Sequence, residues 1–183
     1  MSQEALKPAP AITLRPSTEA DIPAIHAIYE QAVLHGTGTF ETEVPDLAEM
    51  TRRRAEVLGR ALPWLVAEQD GEVTGYAYAN YFRPRMAYRF CLEDSIYLSP
   101  AAQGKGVGKL LLAELMARCE AAGARQMLAV IGDAQNKGSI GVHTSLGFEH
   151  TGVLKSAGWK FGRWLDVVLM QRQLGPGDTN SPA

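Results

Sequence analysis

One stretch constrains this chain more than any other: Glu93-Asp-Ser-Ile-Tyr-Leu-Ser-Pro-Ala-Ala-Gln-Gly-Lys-Gly-Val-Gly-Lys-Leu-Leu-Leu112. It reads as a strand, a basic glycine loop and a helix. Ser95 to Leu98 is β-branched and aromatic, and Pro100 stops it. The helix is predicted from about Gly106 to Ala122. Val107, Leu110, Leu111 and Leu115 follow the i, i+3, i+4, i+8 spacing of one buried face. Glycines ahead of a helix let backbone N–H groups approach a ligand closely. The first N–H groups of the helix have no internal partner, and the dipole there favours negative charge. The stretch therefore predicts a phosphate or pyrophosphate site.

Two familiar phosphate loops are excluded. Lys109 stands where the dinucleotide fingerprint needs its third glycine. For a Walker loop, Gln103 replaces the first glycine and Leu110 replaces the Ser/Thr that holds magnesium. What remains is Gln-x-x-Gly-x-Gly after a strand. On its own this also spells a glycine-rich turn with no ligand.

With 183 residues the chain can bury one full core. A formal net charge of -2 gives no overall electrostatic case for nucleic acid. Cys91 and Cys119 are the only cysteines and form neither a disulfide framework nor a zinc pattern, so no metal is expected. Without a spanning apolar run or a signal peptide, the expected compartment is the cytoplasm.

Residues 1–11 read as a flexible leader. Ile12 to Arg15 is a strand. Thr18 and Asp21 cap a helix that buries Ile22, Ile25, Tyr29 and Val33 and ends at Gly36. A second helix starts near Asp46 with Leu47, Met50 and Leu58, and its Arg52-Arg53-Arg54 run reads as a solvated face. Trp64 to Glu68 and Glu72 to Tyr81 form a hairpin about Asp70-Gly71. After the glycine loop and its helix, Gln126 to Ile131 is an apolar strand. A short helix follows from about Ser139 to Leu146, and strands run from Glu149 to Leu154 and from Arg163 to Gln171. Residues 173–183 have nothing to pack and read as a disordered tail. The fold class is α/β in the mixed sense, with a mostly antiparallel sheet and helices on both faces.

Over residues 12–172, read as a single domain, the chain resembles the GNAT N-acetyltransferases, and within them the phosphinothricin and methionine-sulfone group. The resemblance rests on an ordered set of segments. These are Thr39-Phe40-Glu41, Pro63-Trp-Leu-Val-Ala-Glu68, Gly75-Tyr-Ala-Tyr78, Arg85-Met-Ala-Tyr88, Ser95-Ile-Tyr97, the glycine loop, Ala129-Val-Ile-Gly132, Asn136, His143, Leu146-Gly-Phe148 and Gly158-Trp-Lys160. Gly162-Arg-Trp164 with Asp166-Val167 closes it. The sequence departs from the group at Phe90-Cys91-Leu92, at Asp133-Ala134-Gln135, and at Phe161 and Leu165.

The resemblance implies a GNAT fold, acetyl-CoA as donor, a small amino-acid-like primary amine as acceptor, and a homodimer. Acetyl transfer needs a base for the ammonium, donors for the oxyanion, and an acid for the thiolate. Glu93 matches the group's catalytic carboxylate, although a strand-end charge paired with Arg89 would look the same. His143 either moves or positions a proton, or is packed. Asp94 is sent to the opposite face by strand alternation and is read as structural. The implied cofactor set is Tyr97, Leu98, Gln103, Gly104, Lys105, Gly106, Val107, Gly108, Lys109, Asn136 and Ser139, with an oxyanion donor in the backbone near Leu98. Asn136 could instead cap the next helix. Phe40, Arg85 and Tyr88 are expected around the acceptor, arginine offering a fork for paired oxygens. Acetylation of a protein N-terminus or a polyamine, and a non-catalytic acyl-CoA sensor, stand as alternatives.

Overall fold

In a computed structural model, residues 11–182 are described; the leader expected at 1–11 therefore lies almost wholly outside them. The order is β1 (Ile12–Pro16), α1 (Ile22–His35), α2 (Leu47–Gly59), β2 (Trp64–Gln69), β3 (Glu72–Tyr81), β4 (Cys91–Leu98), α3 (Val107–Ala121), β5 (Gln126–Gly132), α4 (Lys137–Ser145), β6 (Glu149–Lys160) and β7 (Arg163–Gln173). The strands form one sheet, ordered β1-β2-β3-β4-β5-β7-β6. Its pairings are antiparallel except between β4 and β5. This is the mixed sheet expected from the sequence.

Each element has a local cause. The carboxylate of Asp21 accepts from the Thr18 N–H at 2.6 Å and its hydroxyl at 3.0 Å, fixing the entry to α1. Asp46 caps α2 by accepting from the Glu49 N–H at 2.7 Å. Asp70 and Gly71 both have positive φ, the hairpin geometry expected between β2 and β3.

Helices cover both faces. Tyr29 of α1 meets Tyr97 of β4 edge-on, ring centroids 4.9 Å apart. On the other face α3 packs so closely that a Cβ at Gly75 would sit 3.2 Å from Leu111 Cδ1 and 2.5 Å from Leu98 Cδ2. The apolar face of α3 differs from the expectation. Leu110 is 46% exposed, and the buried stripe is Val107, Leu111, Leu112, Leu115, Met116 and Cys119. With three leucines in a row, periodicity alone could not choose between 110 and 112.

Three further readings are corrected. In α2, Leu47 and Leu58 are exposed while Met50 and Val57 are buried. The arginine run there is not simply solvated: Arg53 bonds Glu41 and Glu49, and Arg54 bonds Ser17. After β7, Leu174 is buried and its N–H donates to the Arg125 carbonyl, so this segment does have something to pack.

Candidate active site

The sheet opens in its middle. β4 and β5 pair only through Cys91–Glu93 against Gln126–Leu128, and beyond Glu93 the two strands separate. β4 stays paired to β3 as far as Leu98. The direction of its free backbone groups follows from alternation. The Ser99 N–H donates to the Thr74 carbonyl, and the Cys91 carbonyl accepts from the Phe82 N–H, both on the β3 side. Odd-numbered residues thus turn their polar groups towards β3, and the N–H groups of Ile96 and Leu98 turn into the opening.

A cavity of about 410 Å³ fills the opening, lined by Phe40, Glu41, Tyr78, Glu93, Val130 and His143 among others. A neighbouring cavity of about 250 Å³ shares Ile96, Asn136, Ser139 and His143 with it and adds Leu98, Gln103, Gly104 and Gly108. One continuous cleft therefore runs from the glycine loop to Glu93.

At the loop end, Gly106 caps α3 with φ +82°, a conformation side chains rarely adopt. The first helical bond comes from the Leu110 N–H to the Gly106 carbonyl. The N–H groups before it precede the helical ladder and face the dipole's positive end. Gln103, Gly104, Lys105 and Lys109 are exposed around them, whereas Val107 is wholly buried and acts as an anchor.

At the other end, Glu93 is partly buried and lines the cavity. Burial first, and then the Asp94 charge, raise its pKa; the Arg83 charge pulls it back. A carboxylate shifted in this direction is a better base than an exposed one. Among the described residues it makes no salt bridge, so the pairing with Arg89 is not seen.

Asp94 points to the opposite face, as alternation required, but it is not idle. Its Oδ2 lies 3.0 Å from His143 Nε2, and His143 Nδ1 lies 2.7 Å from the Ser139 carbonyl. Both side chains are buried, and Asp94 Oδ1 has no hydrogen-bond partner among the described residues. Burial pulls the His143 pKa down, yet the Asp94 hydrogen bond and charge and the Ser139 carbonyl together raise it. Asn136 caps α4 through its side-chain oxygen, which accepts from the Ser139 N–H at 3.1 Å. The cap reading therefore holds, and the residue also lines both cavities. Tyr97 lines the first cavity while its ring packs on Tyr29 and Tyr76.

The acceptor candidates divide. Phe40 is in the wall of the first cavity. Arg85 and Tyr88 are exposed on a single 3-10 turn and lie outside that wall. The departures from the resembled group have local roles. Asp133 adopts a positive φ and pairs with Arg163 at 2.7 Å; Phe161 sits in the β6–β7 turn; Leu165 is core. Sequence reasoning missed Glu41, which accepts from the Tyr29 hydroxyl at 2.8 Å and from Arg53 at 2.6 Å at the cavity edge. It also missed Lys160, which is buried with its ammonium on the Gly36 and Thr39 carbonyls. No periodicity marks either residue. Among the described residues no group of three or more His, Cys, Asp or Glu is placed to hold a metal, and no helix is long and apolar enough to cross a membrane.

A splayed β4–β5 pair, an anion-ready helix start and a shifted carboxylate at the far end define an acyl-CoA-dependent acyltransferase site. The chain belongs to the acetyltransferase (GNAT) family, whose model matches residues 25–148, and its co-substrate is acetyl-CoA. It is 55% identical over 172 residues to the phosphinothricin N-acetyltransferase of Alcaligenes faecalis, covering 94% of this chain and 87% of that protein. It is 41% identical over 166 residues to the L-methionine sulfoximine/L-methionine sulfone acetyltransferase of Salmonella typhimurium, covering 89% and 95%. The GNAT superfamily phosphinothricin acetyltransferase of Sinorhizobium meliloti, solved in complex with AcCoA, superposes with a TM-score of 0.92. That match has 51% identity and covers 94% of this chain and 93% of that one.

Proposed function

We propose that the protein transfers the acetyl group of acetyl-CoA to the primary amine of a small amino-acid-like acceptor of the phosphinothricin, methionine sulfone or methionine sulfoximine type. The observation that carries this is the cavity itself. At about 410 Å³ it suits a drug-sized or smaller ligand. The names of the relatives at 55% and 41% identity point the same way.

In this reading the pyrophosphate rests on the N–H groups of Gly104 to Gly108 with Lys105 and Lys109 nearby. The pantetheine arm then follows the cleft past Asn136 and Ser139. The acceptor amine loses its proton to Glu93, directly or through water, and attacks the thioester in a ternary complex. Backbone N–H groups of Ile96 or Leu98 steady the oxyanion. The intermediate then collapses: the C–S bond breaks, and the proton left on the attacking nitrogen passes, directly or through water, to the departing CoA thiolate. Burial pushes the Cys119 thiol up to about 12 and raises that of Cys91, which argues against an acyl-enzyme on either. The free cysteines suit a reducing compartment, which supports the cytoplasm.

A homodimer belongs to the same reading. Leu154, Trp159, Phe161 and Trp164 are each at least half exposed near the β6–β7 end of the sheet. Exposed apolar side chains at this end of the sheet support a subunit contact there, and sedimentation at micromolar concentration reads the mass directly. The activity is tested by CoA-thiol release across a panel of amino-acid analogues, spermidine and a peptide. Turnover of the analogues is expected; preference for spermidine or the peptide would overturn the acceptor assignment.

A further inference from the structure

Lys160 ends β6, immediately before the two-residue turn Phe161-Gly162. It is 4% exposed and makes no salt bridge among the described residues. Its ammonium donates instead to two backbone carbonyls, Gly36 at 2.8 Å and Thr39 at 2.9 Å. The Phe161 ring lies 5.0 Å away and supplies a weak cation–π contact. Burial lowers the Lys160 pKa and the Glu41 charge offsets this only in part. Burying an ammonium with carbonyls as its hydrogen-bond acceptors is an expensive way to stabilise a fold, since an apolar side chain of similar volume often does as well. The two carbonyls belong to the loop that leaves α1 and carries Phe40 into the cavity wall.

The Phe40 ring occupies space that other residues would fill. A Cβ at Gly158 would sit 2.2 Å from Phe40 Cε2, and one at Gly132 would sit 2.9 Å from Cε1. The ring is therefore seated on two backbones, one in β5 and one in β6. Lys160 lies two residues beyond Gly158 on that same strand. The tether and the Gly158 side of the seat come from the β6–β7 hairpin, more than a hundred residues along the chain from the loop they hold.

We infer that Lys160 is a positioning residue for the acceptor: its ammonium ties the loop at 36–41 to β6, holds Phe40 on Gly132 and Gly158, and so sets the size of acceptor that fits. This rests on the acceptor reading above, but the tether can be measured without it.

The test is Lys160→Met, which keeps length and removes the donors. Hydrogen exchange at the amides of 37–41 is expected to accelerate, while the core strands stay protected. The acceptor KM should rise at least about tenfold, the scale of a lost hydrogen bond from a charged group. Acetyl-CoA affinity by calorimetry should stay within about twofold, because the glycine loop is untouched. In a Phe40→Ala background the same change should add little, since the two act as one unit. Unchanged exchange in the loop overturns the tether. An unchanged acceptor KM, an equal loss of acetyl-CoA affinity, or additivity with Phe40→Ala overturns the positioning role. If Lys160→Met does not fold, Gly158→Ala replaces it. That variant should displace the ring, raise the acceptor KM alone, and fall silent in the Phe40→Ala background; any other pattern overturns the seat. If the wild type uses only a peptide or spermidine, the acceptor reading fails and the exchange arm still decides the tether.

Discussion

His143 Nε2 and Asp94 Oδ2 stand 3.0 Å apart across the mouth of the opened sheet, joining α4 to β4. His143 Nδ1 meets the Ser139 carbonyl at 2.7 Å. Both ring nitrogens thus face oxygen acceptors, and only the imidazolium can donate to both. With both nitrogens so engaged, His143 is proposed to position the site and not to carry the proton. The charge across the cleft should fix the distance between β4, whose Ile96 and Leu98 N–H groups face the opening, and α4, which Asn136 caps and which carries Ser139.

Asp94→Asn should therefore lower the His143 pKa in an NMR titration and destabilise the protein by about 1.5–3 kcal/mol at mildly acid pH, the range for a hydrogen bond to a charged group. The sign follows from the raised pKa. The stabilisation is fully present below the unfolded value of 6.5 and is lost as pH rises through the folded one. The difference between wild type and variant should shrink on the alkaline side. A His143 pKa that does not move would remove Asp94 as its charge partner.

Glu93 carries the opposite trade. Burial raises its pKa, so ionisation opposes folding once pH exceeds the unfolded value of 4.5. Stability falls through the window between 4.5 and the raised folded value and stays lowered above it. Glu93→Gln removes that penalty. Its melting temperature should exceed the wild type's at pH 7, and the gain should vanish near pH 4. Turnover should drop roughly 10²-fold at neutral pH, the scale of general base catalysis, and recover in part at high pH where more amine is neutral. A variant that is less stable and equally active would take Glu93 out of the mechanism.

Much of this site could be read from local rules. The strand, loop and helix around Gly106 fall where β-branched residues, Pro100 and the glycines place them. Alternation put Glu93 and Asp94 on opposite faces, which holds. What lay beyond reach was set by contacts distant in sequence. Nothing local reveals that β4 parts from β5 after Glu93, or that His143 meets Asp94 through that gap. Lys160 reads as an ordinary charge at a hairpin end until the Thr39 carbonyl is seen beside it. Leu110 shows the reverse fault: a helical period was present, but the leucine run fitted two phases. Leu174 was lost to the turn formers that follow it, although Arg125 holds this segment through Gly177 and Asn180.

The glycine loop should bind by backbone geometry and charge together. Gly106→Asp adds a carboxylate at the start of α3, where nothing lies within 4 Å of a built Cβ. The φ of +82° strains any side chain there, though Asn and Asp tolerate it best. Gly106→Asn therefore carries nearly the same strain without the charge. Calorimetry should show acetyl-CoA affinity at least about tenfold weaker for the Asp variant, about 1.4 kcal/mol, and a smaller loss for Asn. Equal losses would assign the effect to strain, and no loss in a folded Asp variant would remove the loop from the cofactor site.

The two arginines before β4, Arg83 and Arg85, should separate by phenotype. Arg85 is exposed and outside the cavity wall, whereas the Arg83 charge reaches Glu93 and lowers its pKa. A guanidinium near that carboxylate can also attract the oxygen-rich head of an acceptor whose amine is a few bonds away. Arg83→Ala should shift the acid limb of the kcat/KM profile to higher pH, because Glu93 loses a stabilising positive charge. The shift should shrink in salt, since Arg83 is solvent-exposed. Arg85→Ala should leave that limb in place and raise the acceptor KM. If Arg85 grips the acceptor during turnover, the loss is about 1.5–3 kcal/mol in kcat/KM, and Arg85→Lys restores only part of it because the fork is gone. An acid limb that moves with Arg85 and not with Arg83 would invert the assignment. A profile and KM unchanged in both variants would place the acceptor's anionic group elsewhere in the cavity.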